Sequence, residues 1–130
     1  MLARPRPSLR LVHVDSGQVL AERLERPRSF LGRGLGLMFR PCLAPGTGMW
    51  IVPCSGIHTF FMRFPIDVVF LDRRQRVVRV YPGLRRWRLV PLVWRAHSVV
   101  ELPAGTIHGL GLRPGDELSI ETAGSVDRLP

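Results

Sequence analysis

Glycine and proline interrupt this chain along its whole length, and this constrains its fold more than any other feature of the sequence. The 130 residues include 13 Gly and 12 Pro, which are spread throughout rather than gathered in a linker. Because Pro lacks a backbone N–H and Gly weakens regular structure, this spacing suits many short strands joined by turns and suits long helices poorly. The sequence therefore predicts a mainly β fold.

Short apolar segments lie between these breaks, and each predicts a strand. Segment 66–72, "IDVVFLD", is apolar at nearly every position, so we expect a central strand that is buried on both faces. A turn at 72–75 and a strand at 76–82 complete a hairpin with it. We expect the remaining chain to form strands at 9–14, 19–24, 48–53, 97–102 and 117–121, an extended stretch or short turn at 57–62, and a long connection at 83–96.

Two other segments favour short helices. In 26–40, apolar residues recur near helical spacing after Ser29, a candidate N-cap, and 103–112 opens on Pro and holds a second helical turn. The elements together predict a compact, single-domain, antiparallel, barrel-like sheet with one or two short helices. Its core would span about 8–122, with a short tail at 123–130.

The composition is strongly basic, with a net charge of +9, and all nineteen basic residues are Arg. Arg favours bidentate contacts with phosphate and carboxylate, so an anionic partner is one interpretation. The other is a codon usage that replaces Lys by Arg everywhere. No apolar run approaches the ~20 residues of a membrane helix, and the first residues lack a signal-peptide core. We expect a soluble cytoplasmic protein without a transmembrane segment or cofactor, and with free thiols.

The segment "CSGIH" raises the question of thiol chemistry. Cys54 and His58 would form a nucleophile and base if the chain turned between them, with Asp67 or Glu101 orienting the imidazole. On an extended strand the two would lie about 13 Å apart, and Pro53 offers a turn. The spacing alone is not diagnostic, and the alternative is a small buried thiol beside a structural histidine.

A metal site is a weaker hypothesis. Its ligands would be Cys42, Cys54 and His58, with His97 or His108 as additional donors. A structural zinc site normally contains two cysteines separated by two to four residues, and these cysteines lie far wider apart.

Asp67 enters the most apolar strand, where a lone buried charge is costly. Three kinds of partner would satisfy it: backbone N–H groups of a nearby turn, Arg63 or Arg40, or His58. The first two are structural and we favour them. The third would place a histidine–carboxylate pair at a pocket.

The segment "RRWRLVPLVWR" interleaves Arg with Trp, and it is the best candidate for a partner surface. Its partner would be nucleic acid or an anionic membrane. The structural alternative is a crossover whose apolar residues close one end of the barrel beneath the Arg stems. The residues in question are Arg85, Arg86, Trp87, Arg88, Trp94 and Arg95.

Four blocks of the chain resemble the uncharacterised prokaryotic family catalogued as domain of unknown function 192. Family members commonly read Trp-Met-Lys-Asn-Thr and then Pro-Leu-Asp, and the matching residues here are Met62, Pro65 and Asp67. The resemblance implies a small, mostly β, barrel-like fold and implies no activity. The blocks are "RGLGLMFR" (33–40), "GMWIVPCSGIHTFFMRFPIDVVFLD" (48–72), "RVVRVYPGLRRWRLVP" (76–91) and "SVVELPAGTIHGLGLRPGDEL" (98–118).

The leading functional hypothesis is a non-enzymatic binding or accessory domain for a small molecule or protein. No triad, phosphate loop or metal signature is present, yet polar residues interrupt the apolar stretches. We expect them to rim a pocket formed by His58, Thr59, Arg63, Asp67 and Glu101. The alternatives are a small hydrolase-like enzyme using Cys54 and His58, and the Arg-rich surface described above.

Overall fold

The computed structural model describes residues 8–27 and 42–122. Nine strands form in this part of the chain, at most of the positions that the apolar segments predict. They are β1 (Leu9–His13), β2 (Val19–Glu25), β3 (Thr47–Ile51), β4 (Ile57–His58), β5 (Ile66–Leu71), β6 (Val77–Leu84), β7 (Leu89–Val90), β8 (Ser98–Pro103) and β9 (Leu118–Thr122).

Seven of these strands form one sheet in the order β6-β5-β8-β3-β2-β1-β9. All neighbours are antiparallel except β2 and β3, which run parallel. The sheet curls into a half-barrel, so its two edge strands approach each other at one end. There Arg76 bridges Glu117, and Val77 donates a backbone hydrogen bond to Asp116 at 2.8 Å. A mainly β, barrel-like fold is therefore confirmed.

Strand β5 is the centre of the core, as predicted for 66–72. All six of its residues are buried, and it pairs with β6 on one side and β8 on the other. Because side chains alternate across a strand, Val69 and Leu71 pack on one face of the sheet with Ile107, while Val68 and Phe70 pack on the other. The sheet thus has an apolar core on each face.

A thin covering layer closes the second of these faces. It consists of residues 54–64 and 85–97, and includes the two-stranded sheet of β4 and β7. Its inward side chains, among them Ile57, Met62, Val90 and Val93, are buried in the same cluster as Phe70. Glycine is required within it at Gly56, where a Cβ would lie 2.5 Å from the Pro91 carbonyl oxygen.

The structure differs from the predicted secondary structure at two places. The expected helical turn at 103–112 is a series of turns over 104–111, because Gly105, Gly109 and Gly111 all have positive φ and a right-handed helix cannot pass through them. The connection at 83–96 contains the short strand β7. The other predicted helix, at 26–40, and the tail at 123–130 lie outside the described residues. Within the described ranges there is no helix of the length and hydrophobicity that a membrane span requires.

Candidate functional site

Asp67 takes the first of its three predicted partners, the backbone of nearby turns. Its Oδ1 accepts a hydrogen bond from the Gly83 N–H at 2.8 Å, and its Oδ2 accepts one from the Ile107 N–H at 3.0 Å. The side chain is almost fully buried. It holds the end of β6 and the turn after β8 together, and this structural role accounts for a carboxylate in the most apolar strand.

Glu101 lies on the opposite face of the sheet from Asp67. In β8, Val100 and Leu102 belong to the cluster on the Asp67 face, so Glu101, between them, projects toward the covering layer. It is buried there, and its charge acts on the Cys54 thiol. The structure therefore does not bring the two carboxylates of the predicted pocket together.

Thr59 is fully buried and holds the covering layer together. Its Oγ1 donates to the Arg85 carbonyl oxygen at 2.7 Å and accepts from the Arg88 N–H at 2.8 Å. Its backbone N–H donates to the Arg88 carbonyl oxygen, and its carbonyl oxygen accepts from the Trp87 N–H. The hydroxyl thus positions the 85–88 turn, which carries exposed Arg and Trp side chains.

Cys54 and His58 do not show the features of a nucleophile and its base. The Cys54 Sγ donates to the Gly56 carbonyl oxygen at 2.8 Å, and the buried His58 Nδ1 has no hydrogen-bond partner. Burial raises the pKa of the Cys54 thiol, the hydrogen bond to Gly56 lowers it, and the negative charge of Glu101 raises it, so that the net shift is upward. A catalytic thiol needs the opposite shift. The His58 ring instead packs against Phe60, with centroids 5.1 Å apart.

The predicted metal ligands do not assemble in the part of the chain that the structure describes. There, the group of His, Cys, Asp or Glu side chains whose ligand atoms lie within 4.8 Å of one another is His13, Asp15 and Asp116. This group was not predicted from the sequence. Both His13 ring nitrogens already have partners, Ser16 Oγ at 2.7 Å and Asp116 Oδ2 at 3.1 Å. These contacts join the β1–β2 turn to the turn before β9.

The outward side of the covering layer exposes large apolar side chains. We call it the Arg–aromatic surface. Four of the five adjoin a buried residue in the chain, as Trp94 adjoins Val93, so the same segment supplies both core and exposed side chains. The exposed members are Phe61 (49%), Trp87 (55%), Leu89 (63%), Leu92 (75%) and Trp94 (78%). A group of apolar residues this exposed is characteristic of an interaction site.

The same surface carries an excess of positive charge. Arg85, Arg86, Arg88 and Arg95 are all exposed, and Arg63 is exposed in the same layer. The sequence from 73 to 100 contains no Asp or Glu. Two open clefts lie along it. One of about 300 Å³ is lined by Pro65 and the 85–88 turn, and one of about 390 Å³ is lined by 72–74 and 95–97.

The backbone beneath this surface is held in an unusual conformation. Four non-glycine residues of the described chain have positive φ, and three of them, Phe61 (63°), Trp87 (62°) and Arg95 (69°), belong to the covering layer. Left-handed backbone is unfavourable for bulky side chains and is concentrated at functional sites. The Trp87 ring packs between Phe60, at 6.0 Å, and Phe61, at 5.0 Å. Contacts with these two rings thus hold the Trp87 ring in position.

Sequence reasoning identified the Arg and Trp residues of this surface and missed its aliphatic part. Leu89 and Leu92 have no signature that separates an exposed leucine from a core leucine. The exposure of Leu89 beside buried Val90, and of Leu92 beside buried Val93, is seen only in the structure.

The fold and this surface define a small half-barrel β domain with a basic, aromatic face, and comparison with known proteins identifies its family. The profile of the family DUF192, described as "Uncharacterized ACR", matches residues 12–120. A UPF0127 protein of Thermococcus sibiricus is 31% identical over 125 residues, covering 92% of this chain and 80% of its own. A UPF0127 protein of Pyrococcus horikoshii is 38% identical over 96 residues, covering 69% and 80%. The chain belongs to the DUF192 family, as its sequence blocks indicated.

Two crystal structures share this fold. One is a protein of unknown function from Novosphingobium aromaticivorans, with a TM-score of 0.72 over 86% of this chain and 83% of the other. The second is described as a putative transcription regulator from Sinorhizobium meliloti, with a TM-score of 0.72 over 92% and 97%. Each is 24% identical to this chain, so the likeness is one of fold.

Proposed function

We propose that this protein is a non-enzymatic binding domain that recognises an anionic partner through its Arg–aromatic surface. The observation that carries the proposal is the coincidence of exposed apolar rings and exposed Arg side chains on one layer of the molecule. Apolar contact supplies affinity, and the guanidinium groups supply selection for negative charge.

The hydrogen-bonding pattern favours this surface over the pocket predicted near His58 and Asp67. The polar groups of Thr59 and Asp67 are already hydrogen-bonded to backbone groups. Glu101 and Asp67 project from opposite faces of the sheet. Of the five predicted ligand-binding residues, Arg63 is the one that is exposed on the covering layer. It joins the proposed surface as a further positive charge.

The thiol-enzyme alternative draws less support from the structure. A raised thiol pKa and a hydrogen bond to the Gly56 carbonyl oxygen both favour a protonated Cys54 at neutral pH. The exposed aromatic rings and the Arg side chains would also have no part in such a reaction.

Binding to two anionic probes tests the proposal. The protein is titrated with single-stranded oligothymidylate and with phosphatidylserine-containing vesicles, at several salt concentrations. We expect salt-sensitive binding to at least one probe, because neutralised anionic sites release or exchange counterions. Replacing Arg85, Arg86 and Arg88 together by Gln should weaken it by about 100-fold, at about five-fold per charge near an anionic surface.

The control variant removes the same charge elsewhere. Arg23, Arg79 and Arg113 are exposed on β2, on β6 and in the turn before β9. Replacing these three by Gln should weaken binding much less, because they lie outside the covering layer. Equal losses in the two triple variants would show that only net charge matters and would overturn the proposal, as would the absence of binding to both probes.

A further inference from the structure

We propose, building on the proposed function, that the anionic partner is a lipid membrane with anionic headgroups, and that Leu92 and Trp94 insert into its interfacial region. The segment would lie on the membrane surface and would not cross it.

The exposed aliphatic side chains favour a membrane. Leu92 is 75% exposed and Leu89 is 63% exposed, which makes them as accessible as the tryptophans. A leucine has no planar face on which a base can stack, so it adds nothing to the binding of single-stranded nucleic acid. At a membrane the same side chain gains from leaving water for the boundary between headgroups and acyl chains.

The aromatic side chains fit the same environment. Trp is enriched where membranes meet water, because its ring is apolar and its indole N–H is polar. Trp94 is 78% exposed, and Leu92 and Arg95 on either side of it in the chain are also exposed. Val93, between Leu92 and Trp94, is buried in the core. The tip of this loop therefore presents apolar groups that are flanked by a positive charge.

The position of the Arg side chains supplies the second requirement. A single apolar anchor gives marginal, reversible membrane binding, and stable association takes an apolar contact together with a basic patch. Arg85, Arg86, Arg88 and Arg95 are exposed in the same segment of the covering layer as Leu92 and Trp94, and no acidic residue occurs between Asp72 and Glu101. Headgroups with negative charge complement this arrangement.

The Arg side chains argue against a second copy of the chain as the partner at this surface. A two-fold interface would place the same patch on both subunits, so that four Arg side chains would face the same four. Without acidic residues on the covering layer, that contact would be repulsive.

Backbone contacts anchor the loop that carries Leu92 and Trp94 to the rest of the covering layer. Val93 donates its backbone N–H to the Ser55 carbonyl oxygen at 2.7 Å, and its side chain is buried in the core. The close approach of Gly56 to Pro91 and Val90 fixes the other side of the loop. The exposed side chains therefore project from a backbone that is attached to the core at Val93.

Quenching of Trp fluorescence by brominated phosphatidylcholine, mixed with phosphatidylserine in the vesicles, tests the proposal. The variant Trp87→Phe retains Trp50 and Trp94, and the variant Trp87→Phe/Trp94→Phe retains Trp50 alone. Trp50 packs on the other face of the sheet, in the cluster with Leu102. We expect quenching and a blue shift in the first variant, and neither in the second.

Co-sedimentation with vesicles provides the affinity measurement. We expect Leu92→Ala to weaken binding to phosphatidylserine vesicles by about ten-fold, in line with the apolar area that it removes. Val14→Ala is the matched control, since Val14 is 44% exposed in the turn after β1 and should leave binding unchanged. Vesicles of phosphatidylcholine alone should bind far more weakly than those containing phosphatidylserine.

The outcomes separate this inference from the proposed function. If oligothymidylate binds and vesicles do not, the partner is nucleic acid, and the membrane inference is wrong while the proposed function stands. If vesicles bind without quenching of Trp94, the contact is electrostatic only and the insertion of the loop is wrong. If neither probe binds, both proposals fail together.

Discussion

The curled sheet buries its large side chains, whereas the covering layer exposes several of them. In the sheet, every residue of β5 is buried, and its one carboxylate, Asp67, accepts hydrogen bonds from two backbone N–H groups. In the covering layer, inward residues such as Val93 complete a core, while Trp94 next to it is 78% exposed. The sheet is explained by folding alone, whereas the outward side of the covering layer is not.

The polar side chains of the molecule differ in the same way, because some are buried and hydrogen-bonded and others are exposed. The hydroxyl of Thr59 and the carboxylate of Asp67 form hydrogen bonds with backbone groups, so removing either should lower the free energy of unfolding. The Arg side chains of the covering layer are exposed, so removing them should weaken partner binding and change stability little.

The largest effect is expected at Asp67. Asp67→Ala leaves the Gly83 and Ile107 N–H groups without their acceptor, in a position from which water is excluded. We expect a loss of about 3 kcal/mol in the free energy of unfolding, measured by urea denaturation. Asp15→Ala, an exposed change in the β1–β2 turn, is the control and should shift stability by less than about 0.5 kcal/mol. A loss below about 1 kcal/mol at Asp67 would contradict its structural role.

The neighbours Val93 and Trp94 give the next largest effect. Val93→Ala removes buried apolar area and should cost about 2 kcal/mol of unfolding free energy. Trp94→Ala removes a much larger side chain, yet it should cost less than about 0.5 kcal/mol, because that side chain is 78% exposed. Thermal and urea unfolding of the two variants provide the measurement. If Trp94→Ala proved the more destabilising, Trp94 would belong to the core and the distinction between the two sides of the layer would fail.

Thr59 should give an intermediate effect that is confined to the covering layer. Thr59→Val keeps the shape of the side chain and removes the hydroxyl that bonds Arg85 and Arg88. We expect a loss of about 1–2 kcal/mol, and faster hydrogen exchange at the Arg88 amide than at amides of β5. Thr59→Ser retains the hydroxyl and should keep the Arg88 amide protected. Uniform acceleration across β5 would show that the layer does not open separately.

The smallest effect is the pH dependence that arises from Cys54. Because the thiol pKa is raised in the folded protein, the unfolded chain ionises first, and the contribution of the protonated thiol to stability is lost as pH rises above about 8.5. In a Cys42→Ser background, the rate of reaction with Ellman's reagent should have its midpoint above that pH. A midpoint at or below it would indicate an activated thiol and revive the enzyme hypothesis.

The sequence was informative where one physical demand dominates. The apolar run of 66–72 predicts a strand buried on both faces. A carboxylate inside that strand must be paired, which favoured backbone N–H groups or an Arg side chain as the partner of Asp67. The sequence was uninformative about which residues meet. The alternation of side chains within β5 and within β8 can be predicted from the sequence. The register that pairs Val68 with Glu101 cannot, so the structure was needed to show that Asp67 and Glu101 project from opposite faces.

The Arg–aromatic surface was predictable in part for a similar reason. Interleaved Arg and Trp attract notice in a sequence. The orientation of Leu89 is set by the pairing of β4 with β7, two strands of two residues each. The positive φ of Trp87 and Arg95 also has no signal in residue type, because neither residue favours that conformation.

Amide hydrogen exchange in the presence of phosphatidylserine vesicles tests the central claim most directly, because it maps the contact without a mutation. If the Arg–aromatic surface is the partner site, exchange should slow at 85–95 and 57–62, and should be unchanged at β1, β2 and β9. Slowed exchange centred on the β1–β2 turn, or on no segment at all, would contradict the assignment of this surface as the site of binding.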